Sequence, residues 1–262
     1  MNSLKELFEF FKIEAYYPYE NAHLGILIPE EYSKNTIPNV TKELNRWDKV
    51  IKTFKELIGE EIEDTKIDYV SNGSLDFFIE NSIEIAQIIS TTLLSIVSIY
   101  KKVSQIRIKR EELKELGISS AEQKVIEKQE KEIITKEIDK ISADIIREFA
   151  SKKIQTERLN ELKISVKNQV LYMAKCVDNG ITIEINPPDF NEKEPDAPTE
   201  TDTNDVKKEK NQKIKDYSEK LKKIEIIESS MDAVKNIGKL GLNISKYLTF
   251  DNDDATETNN EK

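Results

Sequence analysis

The chain of 262 residues is 37% hydrophobic and 34% charged, and it holds only seven glycines and seven prolines, a composition that favours helix. Its net charge of −10 arises in two segments: 187–205 has seven acids and one lysine, and 251–262 has five acids and one lysine. The rest of the chain is neutral, so the acidity indicates solvated segments and not an acidic binding face. One cysteine and one histidine exclude an intrachain disulfide framework, a cysteine-rich zinc site and a multi-histidine metal site in this chain.

The first sixty residues predict two helices and a strand. Residues 2–13 place apolar side chains on one helical face, and the charges among them argue against a signal peptide. The run HLGILI at 23–28 predicts a short strand. Residues 41–58 carry apolar side chains at helical spacing, and Gly59 is the predicted end of that helix.

A β-hairpin is predicted next, with strands at 67–69 and 75–79 around Ser71-Asn-Gly-Ser74. A two-residue Asn-Gly turn would place Tyr69 opposite Asp76. A three-residue loop places Tyr69 opposite Phe77 and Ile67 opposite Ile79, and we expect that register because it keeps apolar residues together.

The longest apolar run follows and predicts a helix over 82–116, with Asn81 as N-cap and Glu84 at the third helical position. The polar residues of its first part fall at steps of three and four and so form one narrow stripe: Glu84, Gln87, Thr91, Ser95, Ser98, Lys102 and Gln105. The remaining circumference is apolar, and it includes Leu93 and Leu94. This pattern predicts a helix that is buried over most of its surface.

Residues 120–178 contain neither Gly nor Pro and carry isoleucines at a spacing near 3.5, which indicates one side of a helical hairpin or coiled coil. A capping box is predicted at Ser119 or Ser120. One straight helix would be ~90 Å long, against about 50 Å for its partner, so we expect a bend or break near 150–158. The alternating run 181–185 predicts a strand that joins the hairpin of 67–79 in one small sheet.

The predicted fold is mainly α with a small α+β base: a long helical hairpin or coiled coil inserted between strands of a small sheet, plus a C-terminal helix. The α+β base covers 1–186 and includes the inserted hairpin, 82–178. An acidic, proline-rich linker at 187–204, a helix at 205–249 and a disordered tail at 250–262 complete the chain.

Site chemistry is scarce in this sequence. It contains no glycine-rich phosphate loop, nucleophile elbow, His-Glu-x-x-His motif, paired cysteines or EF-hand loop. Asp68, Asp76 and Glu184 could meet on one sheet face around a divalent metal, but such acids are also typical of the solvent side of a half-covered sheet. His23 is interpreted as an ordinary strand residue. We therefore predict that the chain is not an enzyme and has no catalytic, cofactor-binding or metal-binding residues.

Two basic runs raise the question of nucleic acid. Residues 101–114 hold six bases and two acids, and residues 207–223 hold eight lysines and three acids. Aromatic residues are nearly missing from both runs, so no base-stacking platform is indicated, and the acidic linker can neutralise the second run. Solvated helix faces are the favoured interpretation.

Membrane insertion of the long apolar helix is a more specific alternative. Residues 83–100 approach the ~20 residues that span a bilayer, and Tyr100-Lys101-Lys102 is typical of a membrane flank. In an oligomer, the polar stripe would then line a pore. Glu84 and Gln87 shorten the apolar part, however, and the helical period continues to Ile106, as in a core helix.

The run Asn72-Gly-Ser-Leu75, the strand and apolar helix after it, and then Tyr100-Lys-Lys102 resemble uncharacterised bacterial proteins, some of them near antiphage or stress operons. The resemblance covers 66–110 and implies a subunit or regulator of a defence or stress complex, without a role for any residue. We expect a cytoplasmic, non-catalytic interaction or scaffold protein whose long helices recruit a protein partner or a second copy as a homo-oligomer. The alternative is a membrane-acting, pore-forming effector that uses helix 82–102.

Overall fold

The structure is a computed structural model, and it describes residues 21–70, 75–190, 192–199 and 202–235. In chain order, the described elements are β1 (Ala22–Ile28), α1 (Glu30–Ser33), α2 (Ile37–Ile58), β2 (Ile67–Val70), β3 (Leu75–Asn81), α3 (Ile83–Glu115), α4 (Ser120–Phe149), α5 (Thr156–Asp178), β4 (Thr182–Asn186) and α6 (Asn204–Lys235). These helices and the small sheet confirm the predicted fold class. The predicted helix at 2–13, the hairpin turn 71–74, the residues 236–249 and the tail 250–262 lie outside the described residues.

The sheet is antiparallel, with the strand order β2-β3-β1-β4. The late strand β4 joins the same sheet as the hairpin, as predicted, but it pairs with β1 and not with the hairpin itself. The reason lies in β1, whose nearly continuous apolar run suits a strand with neighbours on both sides. Helices α3, α4 and α5 thus form an insertion between two strands of one sheet.

The predicted hairpin register is half correct. Ile67 lies opposite Ile79 as expected, but Tyr69 lies opposite Phe78, and Val70 takes the place opposite Phe77. A register irregularity at Asp68 causes the difference, because an extra residue in one strand shifts every later pair by one.

The helix boundaries follow the local capping signals closely. Asn81 still pairs with Ala22 as a strand residue, so the N-cap of α3 is Ser82, one residue later than predicted, and its hydroxyl accepts a hydrogen bond from the Ile85 amide at 3.3 Å. Ser119 and Glu122 form the predicted capping box of α4. Gly59 ends α2 in the left-handed conformation, with φ of 76°. The expected break is present, since α4 ends at Phe149 and α5 begins at Thr156.

Helix α3 runs through the centre of the core, where α2, α4, α5, α6 and β1 pack against it. Its buried side chains include Ile85, Ile88, Ile89, Leu93 and Ile96. Leu94, expected among them, is only half-buried. The burial of α3 changes along its length, and its last buried residue is Val103.

Helix α6 lies against α3 and β4 and contributes the fully buried Ile227 to the core. The Lys223 ammonium group lies 2.7 Å from the Glu84 carboxylate, at the start of the polar stripe on α3. The segment after β4 leads to α6 without helix or strand in its described part. Its Phe190 packs on Tyr217, with ring centroids 5.0 Å apart.

Candidate functional site

The outer face of the sheet brings two of the three predicted carboxylates near each other. Asp76 pairs with Leu27, and Glu184 pairs with Gly25, so both side chains leave the same face of the sheet on opposite sides of β1. Partial burial raises the pKa of the Asp76 carboxyl, and the charge of Glu184 raises it further. The charge of Glu184 therefore disfavours the ionised form of Asp76.

Asp68 does not join that pair. Its carboxylate lies 3.5 Å from Nδ1 of His23, a buried residue near the start of β1. Within the described part of the chain, no three Asp, Glu, His or Cys side chains are placed to hold a metal ion. The geometry here is that of a polar outer sheet face.

A buried polar cluster between α2 and α5 was missed by the sequence reasoning. The Glu43 carboxylate is buried and accepts hydrogen bonds from the hydroxyls of Tyr32, at 3.1 Å, and Tyr172, at 2.6 Å. The Arg46 guanidinium lies 5.5 Å from the Tyr172 ring centroid, and Trp47 meets that ring edge-on at 5.7 Å. One feature of the sequence indicates this cluster: Glu43 lies four residues before Trp47, so its side chain is on the apolar face of the helix.

The chemistry of this cluster is inert. Burial is the main cause that raises the pKa of both phenols and of the Cys176 thiol, which the structure places beside Tyr172. A neutral buried thiol is a poor nucleophile, and the Glu43 carboxylate already accepts hydrogen bonds from two phenol hydroxyls. The cluster therefore joins α2 to α5 and does not resemble a reaction centre.

A different kind of site lies at the distal end of the α3–α4 hairpin. From residue 104 to residue 129, no residue is buried, whereas Val103 and Glu130 on either side are. We call residues 104–129 the arm. It consists of the last turns of α3, the connection at Gly117 and the first turns of α4. The two helices extend ~15–18 Å beyond the core, and no third element among the residues that the structure describes covers the pair.

The base of the arm is fixed by a charge cluster around the buried Glu130 carboxylate. The Arg107 guanidinium donates to Oε1 of Glu130 from Nε at 2.9 Å and from Nη2 at 2.6 Å. Arg110 Nη1 lies 3.6 Å from the other oxygen of the same carboxylate, and it also donates to Glu127 at 3.4 Å. These contacts hold the two helices side by side where the core ends.

Apolar side chains are exposed on this arm. Leu116 is 81% exposed, Ile108 57% and Leu113 40%, and Val125 on α4 is exposed as well. Ile108, Lys109, Glu112, Leu113 and Leu116 follow the spacing i, i+1, i+4, i+5 and i+8, so they occupy one face of the helix. We call these five residues the arm face. All five are exposed, while Ile106 and Arg107 on another side are partly covered.

The two basic runs are largely occupied by ion pairs. On α3, Lys102 pairs with Glu137, and Arg107 and Arg110 pair with acids of α4. On α6, Lys210 pairs with Asp202 and Lys220 pairs with Glu192, both acids from the segment after β4. The acidic segment thus neutralises part of the second run, as the charge pattern indicated.

Helix α3 is the one described helix long and apolar enough to cross a membrane by length and composition. In its most apolar 18-residue window, 61% is buried inside the protein, and the core helix of a soluble protein passes the same test. Comparison with protein-family models, with curated proteins and with solved structures gives no match. Functional inference therefore depends on the geometry of this chain.

Proposed function

We propose that this chain is a non-catalytic interaction protein that acts through its arm, as a subunit or regulator of a bacterial defence or stress complex in the cytoplasm. One observation carries the proposal: a two-helix arm with an exposed apolar face extends beyond the core and has no covering element among the described residues. The resemblance of residues 66–110 to bacterial proteins near antiphage or stress operons supports the setting.

The energetics of the arm support a contact role. A short helical pair gains little stability from helix propensity alone, because most helical stability in proteins comes from packing of an apolar face. The core helices of this chain have that packing, and the arm has little of it. Large apolar side chains at the end of a projecting element, rimmed by charges, are typical of a surface that a protein partner covers.

The chemistry of the described residues supports a non-catalytic role. The buried carboxylates Glu43 and Glu130 accept hydrogen bonds from Tyr and Arg side chains that belong to helix packing. The acids of the sheet face have no nucleophile or metal set beside them in the part of the chain that the structure describes.

Association that depends on the arm is the direct test. The purified full chain is measured by multi-angle light scattering over a range of concentrations, and tagged chain is recovered from expressing cells under the same conditions. The variant Ile108→Ser/Leu116→Ser should lose the association found with wild type. The control Ile37→Ser removes a side chain that is 82% exposed on α2, away from the arm, and should keep it.

Two results would overturn the proposal. One is a wild-type chain that stays monomeric at high concentration and recovers no stoichiometric protein. The other is an association that the arm variant leaves unchanged. Circular dichroism of each variant checks that the fold is intact.

The alternative function is a membrane-acting effector in which residues 82–102 insert and oligomerise. Insertion would have to withdraw Ile85, Ile88 and Leu93 from the core, and it would expose their packing partners to water. That cost favours the interaction proposal. Recovery of the chain in the membrane fraction, together with dye release from liposomes, would favour the alternative.

A further inference from the structure

We propose that a groove between α4 and α5 is the docking site of the segment that follows α6 in this same chain. The apolar residues up to 250 lie in the groove, and the acids after 250 pair with lysines at its rim. This surface is distinct from the arm, and the inference does not depend on the function proposed above. Seven residues line the groove: Asp139, Ser142, Ala143, Ile146 and Arg147 of α4, and Lys163 and Lys167 of α5.

The groove has a mainly apolar surface, although most of its lining residues are polar. Its volume is about 340 Å³, and no other helix or strand among the described residues lines it. Ala143 is exposed there, and Ile146 keeps 9% of its surface exposed. Long basic side chains contribute their aliphatic stems to such a surface and keep their charged ends in water. The groove therefore suits apolar side chains from a segment that also carries acids.

The rim of the groove carries two uncompensated positive charges, one on each helix. Lys140 on α4 is exposed, and Lys163 on α5 is exposed as well. Neither makes an ion pair with the residues that the structure describes; Lys163 donates to the Asn160 side chain at 2.9 Å. The other two bases at the groove have acid partners: Lys167 with Asp139 at 3.1 Å, and Arg147 with Asp144 at 2.8 Å.

The segment after α6 carries the complementary pattern. Its first part, 237–250, has seven large apolar residues: Ile237, Leu240, Leu242, Ile244, Tyr247, Leu248 and Phe250. Three acids follow within four residues: Asp251, Asp253 and Asp254. An apolar anchor that leads directly into acids matches an apolar groove with an unpaired lysine on each side.

Helix α6 ends on the correct level of the protein for this contact. Lys223 contacts α3 at Glu84, near the start of α3, and the buried Ile227 and Ser230 come after it. Burial of these later residues shows that α6 continues along the core beside α3. The last described residue, Lys235, is therefore ~18 Å further along α3 from that contact.

The groove lies on the same level, and the segment is long enough to reach it. The ion pairs between the antiparallel helices α3 and α4 place residues 139–147 beside about residues 92–100 of α3. Neighbouring helix axes are 8–10 Å apart, so the outer side of α4 lies ~25–35 Å from α6 around the surface. Residues 236–247 span up to ~40 Å when extended, so Leu248 and Phe250 reach the groove while α6 stays in place.

Acrylamide quenching of the variant Phe250→Trp tests the docking in the full-length chain. The native Trp47 is fully buried and contributes a constant background. A peptide of residues 237–262 with the same substitution gives the value for an undocked segment. The full chain should be quenched clearly less than the peptide. Lys140→Glu/Lys163→Glu should weaken the docking about tenfold, because each pair changes from attractive to repulsive, and quenching should rise toward the peptide value.

A charge swap and a matched control complete the experiment. Asp251→Lys/Asp253→Lys, added to the groove variant, places opposite charges together again and should restore the protection of the tryptophan. Lys124→Glu/Lys128→Glu makes the same charge change at two exposed sites of α4 in the arm, and it should leave the quenching unchanged. Circular dichroism checks that each variant is folded.

Four results would overturn the inference. The first is a full chain that is quenched as readily as the peptide. The second is protection that Lys140→Glu/Lys163→Glu leaves intact, which would place the segment on another surface. The third is protection that is lost on dilution, which would assign the groove to the segment of a second copy. The fourth is a charge swap that does not restore protection. None of these results involves the arm, so the proposed function is tested separately.

Discussion

Arg107 and Glu130 are joined by two hydrogen bonds, at 2.9 Å from Nε and 2.6 Å from Nη2, and the Glu130 carboxylate has no solvent exposure. The pair lies where the core ends and the arm begins. Its position explains how the arm keeps its direction where no third helix of the described part of the chain packs on it: the buried Glu130 carboxylate requires a cation, and that cation, Arg107, is on the other helix.

Arg107→Ala should therefore destabilise the protein strongly, by about 3 kcal/mol, because a buried charge loses its main partner. Urea unfolding followed by circular dichroism measures the loss. Arg147→Ala is the control, since the ion pair of Arg147 with Asp144 on α4 is exposed and the free energy of unfolding should hardly change. Similar losses in the two variants would contradict the assigned role of Glu130.

A second prediction concerns the contribution of the Glu43 cluster to stability. Tyr172→Phe keeps the ring beside Trp47 but removes the 2.6 Å hydrogen bond to Glu43, and it should cost about 1–3 kcal/mol of unfolding free energy. Tyr217→Phe is the matched control, because Tyr217 contacts Phe190 through its ring. Thermal unfolding should show a lower Tm for Tyr172→Phe alone, and a Tm equal to wild type would show that Glu43 does not depend on this phenol.

A pH-dependent stability is expected from the sheet face. Burial, and then the charge of Glu184, raises the pKa of Asp76 above its ordinary value of 3.8. The folded state holds this proton more tightly than the unfolded chain. The carboxyl therefore favours folding below pH 3.8, and that contribution is lost as the pH rises through the raised pKa.

Asp76→Asn keeps a neutral side chain at every pH, so it should be more stable than wild type at neutral pH and lose this advantage below pH 3.8. Unfolding free energies measured across that range give the difference. Glu184→Gln removes the second cause and should reduce the effect of Asp76→Asn. An advantage that is constant with pH would show that ionisation of Asp76 is not its source.

Local patterns in the sequence predicted the elements well because their causes are local. The Ser119 capping box, the stop at Gly59 and the break between α4 and α5 depend on neighbouring residues and on apolar spacing. The central position of β1 in the sheet was not predicted. Several strand orders are compatible with the same alternation of apolar and polar residues, so the sequence pattern does not select one of them.

The sites were harder to predict than the elements. Glu43 stands on the apolar face of α2, but its partner Tyr172 is 129 residues away, and nothing local indicates that their side chains meet. The exposure of Ile108 and Leu116 depends on where the other helices end relative to α3. Their sequence pattern alone resembles that of the buried part of the helix.

Helix α3 allows a last prediction that separates its core from its polar stripe. Leu93 is almost fully buried and Leu94 is only half-buried. Leu93→Ala should cost roughly 2–5 kcal/mol by leaving a cavity, and Leu94→Ala should cost clearly less. Thr91→Ala/Ser95→Ala should change stability by no more than about 1 kcal/mol, since each residue loses at most one local hydrogen bond. In the structure, the bond to a carbonyl one turn back is made by the neighbouring Thr92, at 2.8 Å from the Ile88 oxygen.

The same variants distinguish the two proposed functions. If the chain acts through its arm, the Thr91→Ala/Ser95→Ala variant keeps both its stability and its association, because these two residues lie ~20 Å or more along the helix from the arm face. If the chain inserts in membranes, the stripe lines a pore, and this variant keeps its stability but loses in-cell activity and dye release from liposomes. In that case Leu93→Ala would lower the Tm strongly and would change dye release from liposomes much less. Stability and association that both survive in the double variant support the arm as the functional surface.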